Sequence, residues 1–155
     1  MNYQYYTLTH TISLPQDKRI VLVGGCFDIL HFGHIQFLEK ARGAGDYLIV
    51  ALEPDERITQ HKNRLPIHTQ QKRVHNLLAL RYVDHVILLP VLQGFDDYLQ
   101  LVQSIKPHII AVTSNDPQMT NKQKQADTIN AQLVIVNNRI AHLSSTAIYQ
   151  QSMNE

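Results

Sequence analysis

"RIVLVGGCFDILHFGH", residues 19–34, is the stretch that decides the fold. It opens as a short continuous apolar run rich in β-branched residues and ends that run on Gly24-Gly25. It then continues as a turn holding Asp28 and two histidines, His31 and His34, with Gly33 between them. An apolar run bounded by glycines reads as a strand buried on both faces, the pattern of a parallel sheet. From Gly33 onward, Ile35, Leu38 and Ala41 recur at helical spacing, and Gly43 supplies a C-terminal stop.

The rest of the chain repeats this alternation. "DYLIVAL" (46–52), "HVILL" (85–89), "HIIAV" (108–112) and "QLVIV" (132–136) read as further buried strands. Between them lie helical patterns: "TQQKRVHNLLALR" (69–81), capped by Thr69, and "DDYLQLVQSIK" (96–106), broken by Pro107. "KQKQADTINA" (122–131) reads as a weaker helix and "SSTAIYQQ" (144–151) as a closing one, while "EPDERITQHKNRLPIH" (53–68) reads as a polar stretch. Strands alternating with helices predict an α/β layered fold with a parallel sheet. The expectation is one domain over 19–151 with five strands and helices on both faces. Residues 1–18 fall outside the alternation as an N-terminal extension. Its "TLTHTISL" (7–14) alternates in period two, which leaves an edge strand, a hairpin, a partner contact or a partly disordered tail open.

Composition narrows the function classes. The 155 residues carry 14 Lys and Arg against 13 Asp and Glu, so there is no electrostatic footprint for nucleic acid or an anionic membrane. A single cysteine, Cys26, excludes an internal disulfide and fits a reducing compartment. No apolar run approaches a membrane span, and the N-terminus lacks a basic region followed by an apolar one. The expectation is a cytoplasmic protein with neither nucleic-acid nor membrane partners.

The turn itself carries the chemistry. Ligands of open α/β sheets bind beyond the carboxyl ends of the strands, which is where residues 24–34 fall. Gly24 and Gly25 permit a tight turn and close approach of a ligand to the backbone. Gly33 and His34 begin a helix whose free N–H groups and positive dipole end attract phosphate. His31 and His34 flank that anion as hydrogen-bond donors able to carry charge near neutral pH. Gly-x-Gly-x-x-Gly is absent, as is a P-loop Gly-Lys-Ser/Thr. Zinc ligation by the two histidines lacks a His-x-Glu-type site nearby, and a structural role for either imidazole is the plain alternative.

"GGCFDILHFGH" resembles the Gly-x-Phe-Asp-x-Leu-His-x-Gly-His signature of the cytidylyltransferase-like nucleotidyltransferases. "RYVDHVI" (81–87), following a helix that carries Arg73, resembles a segment of glycerol-3-phosphate cytidylyltransferases. "RIAHLSSTAI" (139–148) is similar to that family's Arg-x-x-x-x-Ser-Thr/Ser-Thr-x-Ile ending. The resemblance implies a Rossmann-like domain in which a substrate phosphate attacks the α-phosphorus of a nucleoside triphosphate and releases pyrophosphate. It implies His31 and His34 at the α-phosphoryl, Lys62 on the incoming or transferred phosphates, and Arg139 on the β- and γ-phosphates. It implies Ser144, Ser145 and Thr146 as a second phosphate cradle. Gly24, Gly25, Cys26, Phe27, Asp28, Gly33 and Arg73 are expected around the nucleotide, with Asp28 either orienting the loop or touching substrate. Magnesium is the implied cofactor, with no dedicated protein ligands assigned to it. The implied partners are CTP (favoured through "RYVDHVI") or ATP, a small phosphorylated acceptor, and a second copy in a homodimer. Where many relatives carry Gly-Asp after the fourth strand, this chain reads "AVTSNDPQ" (111–118). Ser114 and Asn115 are therefore the candidates there for the base, with Asp116 a possible substitute. That departure leaves open a nucleotide-binding module without turnover. The histidines at 10, 61, 68, 75, 85, 108 and 142 show no convergent spacing and receive no role.

Overall fold

The computed structural model describes residues 2–9, 11–138 and 144–154. Its first six elements are β1 (Tyr3–Tyr5), β2 (Ile20–Gly25), α1 (Phe32–Gly43), β3 (Tyr47–Leu52), α2 (Asp55–Lys62) and α3 (Gln70–Leu78). The chain continues with β4 (His85–Leu88), α4 (Gly94–Ile105), β5 (Ile109–Thr113), α5 (Met119–Thr128), β6 (Gln132–Asn137) and α6 (Ser145–Met153). All strand pairings are parallel, in the order β1-β4-β3-β2-β5-β6.

The sheet has six strands, not the five expected. The added strand is "YQY" from the N-terminal extension, paired with β4, rather than the alternating stretch at 7–14. Three residues are too few to display a period, so the sequence carries no sign of it. Nearby Tyr6 and Ile12 are buried in the core of the same domain. Helix α2 is the second addition, in a segment read as polar loop. Only Ile58 of its eight residues is buried, so it shows no apolar stripe. Acidic Asp55 and Glu56 in its first turn and His61 and Lys62 in its last suit the helix dipole.

The central strands bury both faces. Val21 and Val23 point to the side of α1 and α3, where they pack with Leu38, Ala41, Val74 and Leu77. Ile20 and Leu22 point to the side of α4 and α5, with Leu101, Val102, Ile105 and Ala126. Successive side chains of one strand thus feed two cores, as the period of two requires. Strand order reverses at β2: the chain moves to β3 on one side and returns to β5 on the other. The loops after β2 and β5 therefore diverge and leave a crevice at the carboxyl edge, the switch point of a doubly wound sheet.

"RYVDHVI" sits at the opposite edge. Asp84, just before β4, accepts the Leu48 N–H at 2.8 Å and pairs with Arg42 Nε at 2.8 Å. The segment closes the amino ends of β3 and β4, so it is a structural clasp a full strand length from the crevice.

Candidate active site

The crevice is built on the start of α1. His31 is the N-cap, and its Nδ1 accepts the His34 backbone N–H at 3.4 Å. That bond requires an unprotonated Nδ1, leaving Nε2–H as the donor of a neutral ring. The two imidazoles stack with centroids 3.8 Å apart and planes 20° apart. Phe27 packs against His34 at 5.1 Å. Phe27 sits at φ 47°, and its ring lies 2.9 Å from where a Cβ on Gly25 would be. The glycine at 25 is therefore what allows the aromatic ring to fold back under the histidines.

Burial, then the adjacent His31 and Lys62, lower the His34 pKa from 6.5 to about 3. Burial and Lys62 also lower that of His31. Both shifts favour the neutral form of the ring.

Lys62 ends α2, and the loop that follows is clamped to the histidine turn through Asp28. Asp28 is completely buried; its Oδ2 accepts from Arg64 at 2.7 Å and from the Ile67 N–H at 3.0 Å. Its Oδ1 accepts the His68 N–H at 2.9 Å. Burial pushes the Asp28 carboxyl up, but the His68, Arg64 and Ile67 donors outweigh it and hold the group below its usual range. Of the two roles expected for Asp28, the geometry supports orienting the loop.

Arg73 requires a correction. It was expected at the nucleotide, but it is completely buried, with its guanidinium spent on protein acceptors. It donates to Cys26 O at 2.6 Å, Glu53 O at 2.9 Å, His68 O at 3.1 Å and Asp55 Oδ1 at 2.6 Å. It joins the turns after β2 and β3 to the start of α3, and so shapes the crevice from beneath.

On the α1 side the crevice forms a cleft of about 230 Å³. Its walls bring together His31, His34, Lys62, Ser144 and Ser145, over a floor of Gly24 to Phe27 and Gly33. Ser144 caps α6, its Oγ accepting the Ala147 N–H at 3.0 Å, so a second helix N-terminus faces the first across the cleft. Thr146 and Ser114 do not line it, and Asn115 lines a separate cavity behind Gly24. Arg139 and His142 lie outside the described residues. Sequence reasoning missed Lys122, which lines the cleft and pairs at 2.6 Å with Asp116, the possible substitute in the 114–118 segment. Lys122 looked like any solvated lysine of a polar helix, and only the packing of α5 against β5 brings it in. Among the described residues no three His, Cys, Asp or Glu converge to hold a metal ion.

A parallel sheet with this switch point, bringing paired imidazoles and a lysine to the N-terminus of α1, defines a doubly wound α/β protein. The chain belongs to the cytidylyltransferase-like family, whose sequence profile matches residues 22–151. The FAD synthase of Pyrococcus abyssi is 44% identical over 97 residues, covering 62% of this chain and 64% of that protein. The bifunctional protein HldE of Pelobacter propionicus is 41% identical over 95 residues, 61% of this chain but 19% of its own length. The matches thus span less than two thirds of these relatives. Among solved structures, a lipopolysaccharide core biosynthesis protein from Thermoplasma volcanium superposes with a TM-score of 0.63 at 27% identity, over 79% of this chain and 97% of that one. Pantoate-beta-alanine ligase from Francisella tularensis shares the fold at 19% identity, with a TM-score of 0.62 over 91% of this chain and 71% of that one.

Proposed function

We propose that this protein transfers a nucleoside monophosphate from ATP to a small phosphorylated acceptor with release of pyrophosphate. The observation that carries this reading is the convergence of His31, His34, Lys62 and the α6 N-terminus on one cleft. An oxygen of the acceptor phosphate forms a bond to the α-phosphorus as the bond to the bridging oxygen breaks, and pyrophosphate leaves with the electron pair. The neutral imidazoles donate hydrogen bonds to the equatorial oxygens as charge builds there, and Lys62 supplies the positive charge. Ser144 and Ser145 hold phosphate oxygens from the opposite wall, and Arg139 is the residue proposed for the β- and γ-phosphates. Cys26 takes no covalent part, since burial raises its pKa and keeps it a thiol.

Magnesium fits this site as an ion carried in on the triphosphate, because Asp116 is the carboxylate lining the cleft and it is paired with Lys122. When bound it neutralises triphosphate charge. ATP is preferred over CTP for two reasons. "RYVDHVI", the stretch that favoured CTP, lies at the far edge of the sheet and cannot read a base. FAD, the product named for the Pyrococcus relative, joins a flavin nucleotide to an adenylate, which ATP would furnish. The two-fold homodimer and a cytoplasmic location belong to the same proposal. No helix among the described residues is long and apolar enough to cross a membrane.

Calorimetry with magnesium and each triphosphate tests the donor. ATP should bind about 10-fold to 10²-fold more tightly than CTP, the scale of one or two mismatched hydrogen bonds. Tighter CTP binding overturns the ATP assignment, and binding of neither removes the nucleotidyl reading.

A further inference from the structure

Among the described residues, the histidine cleft is lined by the formally charged side chains of Lys62, Lys122 and Asp116. Lys62 already has a part in the proposed transfer, whereas Lys122 and Asp116 have none of their own. Asp116 is fixed by its own turn. Its Oδ1 accepts the Gln118 N–H at 2.7 Å, its N–H donates to the Thr113 carbonyl at 3.2 Å, and its carbonyl accepts the Met119 N–H at 3.1 Å. Its Oδ2 accepts from Lys122 Nζ at 2.6 Å. Only 13% of the aspartate side chain and 25% of the lysine side chain are exposed, so this is no loose surface pair.

A carboxylate is the wrong charge for the wall of an anion-binding cleft. With Lys62 alone it would cancel the cation, and a triphosphate would meet a cleft of no net charge. Lys122 turns that balance positive, and it has capacity to spare. An ammonium carries three donors, and Asp116 Oδ2 takes one of them among the described residues. The cluster of Glu53, Arg57 and Tyr98 is a contrast. There Tyr98 donates to Glu53 Oε1 at 2.6 Å, and Arg57 donates to the Leu92 carbonyl and, at 3.2 Å, to the Tyr98 hydroxyl. Arg57 Nε and Glu53 Oε2 complete it as an ion pair at 3.7 Å. That cluster closes on itself, whereas the Lys122 ammonium keeps two donors uncommitted in the wall of the cleft.

We infer that Lys122 is a second phosphate-binding cation of the cleft, keeping one N–H on Asp116 and giving the other two to non-bridging oxygens of the triphosphate. Asp116 is then a positioning residue that holds the ammonium of α5 at the cleft. The inference rests on the nucleotidyl-transfer reading for the identity of the anion, but the phosphate contact needs no turnover. The plain alternative is a lysine that does no more than neutralise Asp116. A double-mutant cycle separates the two roles.

The test is calorimetric titration of the full chain with inorganic tripolyphosphate in the presence of magnesium. Lys122→Met keeps the length and helix preference of the side chain. It should weaken binding at least about 10-fold, the scale of a lost charge-assisted hydrogen bond. Asp116→Asn keeps an oxygen for the Gln118 N–H, removes the negative charge and should tighten binding. The decisive species combines the two substitutions. A direct contact requires it to bind about 10-fold more weakly than Asp116→Asn alone. Equal affinity of these two shows a lysine that only screened the carboxylate, and overturns the assignment. A wild-type chain that binds no tripolyphosphate overturns it as well. Each variant should unfold cooperatively in urea, and Lys122→Gln repeats the cycle should Lys122→Met fail to do so. Pyrophosphate release from ATP, with a panel of phosphorylated acceptors, separates this contact from the transfer itself. Wild-type release that is undiminished in Lys122→Met sinks the lysine and leaves transfer standing. The expected tripolyphosphate pattern without any release supports the lysine and sinks the transfer.

Discussion

The loop after β2 and the loop after β5 face each other across the crevice, yet they are built on opposite principles. The first, residues 26–34, is fixed by groups removed from water: Asp28 and Arg73 are both completely buried, and each makes several bonds to distant segments. The second, residues 114–118, is held by its neighbours. Asp116 accepts the Gln118 N–H at 2.7 Å and pairs with a part-exposed Lys122, and Ser114 N–H bonds to Asn137 O at 3.0 Å. Charge–dipole bonds in a low dielectric are strong and geometrically unforgiving, whereas local turn contacts can be remade at small cost. The first loop suits groups that must not move relative to phosphorus. The second suits contacts that differ among relatives.

On this contrast, the largest effect follows from Arg73→Ala. It would leave the carbonyls of Cys26, Glu53 and His68 unpaired and should cost about 3–5 kcal/mol of stability, measured by urea unfolding. A loss of under about 1 kcal/mol would place the first loop in the same class as the second. Next come His31→Ala and His34→Ala, each expected to lower turnover by at least about 10²-fold with the fold retained. Pyrophosphate release near the wild-type rate in either variant would break the proposed mechanism.

A third effect is linked to pH. Folding holds His34 neutral with its pKa lowered to about 3, so below the unfolded value of 6.5 the unfolded chain binds the extra proton. Stability should therefore fall as pH drops from 6.5 towards 3, with this residue contributing at most about 1.4 kcal/mol per pH unit. Asp28 acts lower: its folded pKa is depressed below 3.8, so its contribution is present above that value and is lost as pH falls through the folded one. Unfolding curves for His34→Gln should flatten the limb between pH 6 and 4, an outcome that an unaltered limb would refute. The smallest effect is expected in the second loop. Lys122→Ala should change stability by about 1 kcal/mol or less, and a larger loss would show that loop to be as rigid as the first. Sedimentation velocity addresses the homodimer, and a monomer at micromolar concentration would remove it from the proposal.

What the sequence made legible depended on range. His31, Gly33 and His34 lie within one turn, so their convergence at the start of α1 was visible before any folding was known. Strands β2 to β6 were equally plain as unbroken apolar runs, whereas the three-residue β1 was not. Arg73 was misread because its partners are 5 to 47 residues away in sequence, and three of the four are backbone carbonyls, which carry no side-chain signal. Helix α2 was hidden because a helix that buries one side chain has no stripe to show. Glu53, Arg57 and Tyr98 were silent for a related reason: a carboxylate, a guanidinium and a phenol drawn from two helices and a strand end become a cluster only once the sheet has formed.

The clamp around Asp28 also bears on how this protein fails. Loop amides ordinarily exchange with solvent deuterium through small local fluctuations, long before a domain opens. Here the Ile67 and His68 amides are tied to a buried carboxylate that is itself tied to Arg64. They should exchange on the timescale of the central strands, making a surface turn one of the last parts of the molecule to open. Heating would then produce no folded but inactive population. Catalytic competence and cooperative structure would vanish together, and residual activity would serve as a direct count of native molecules.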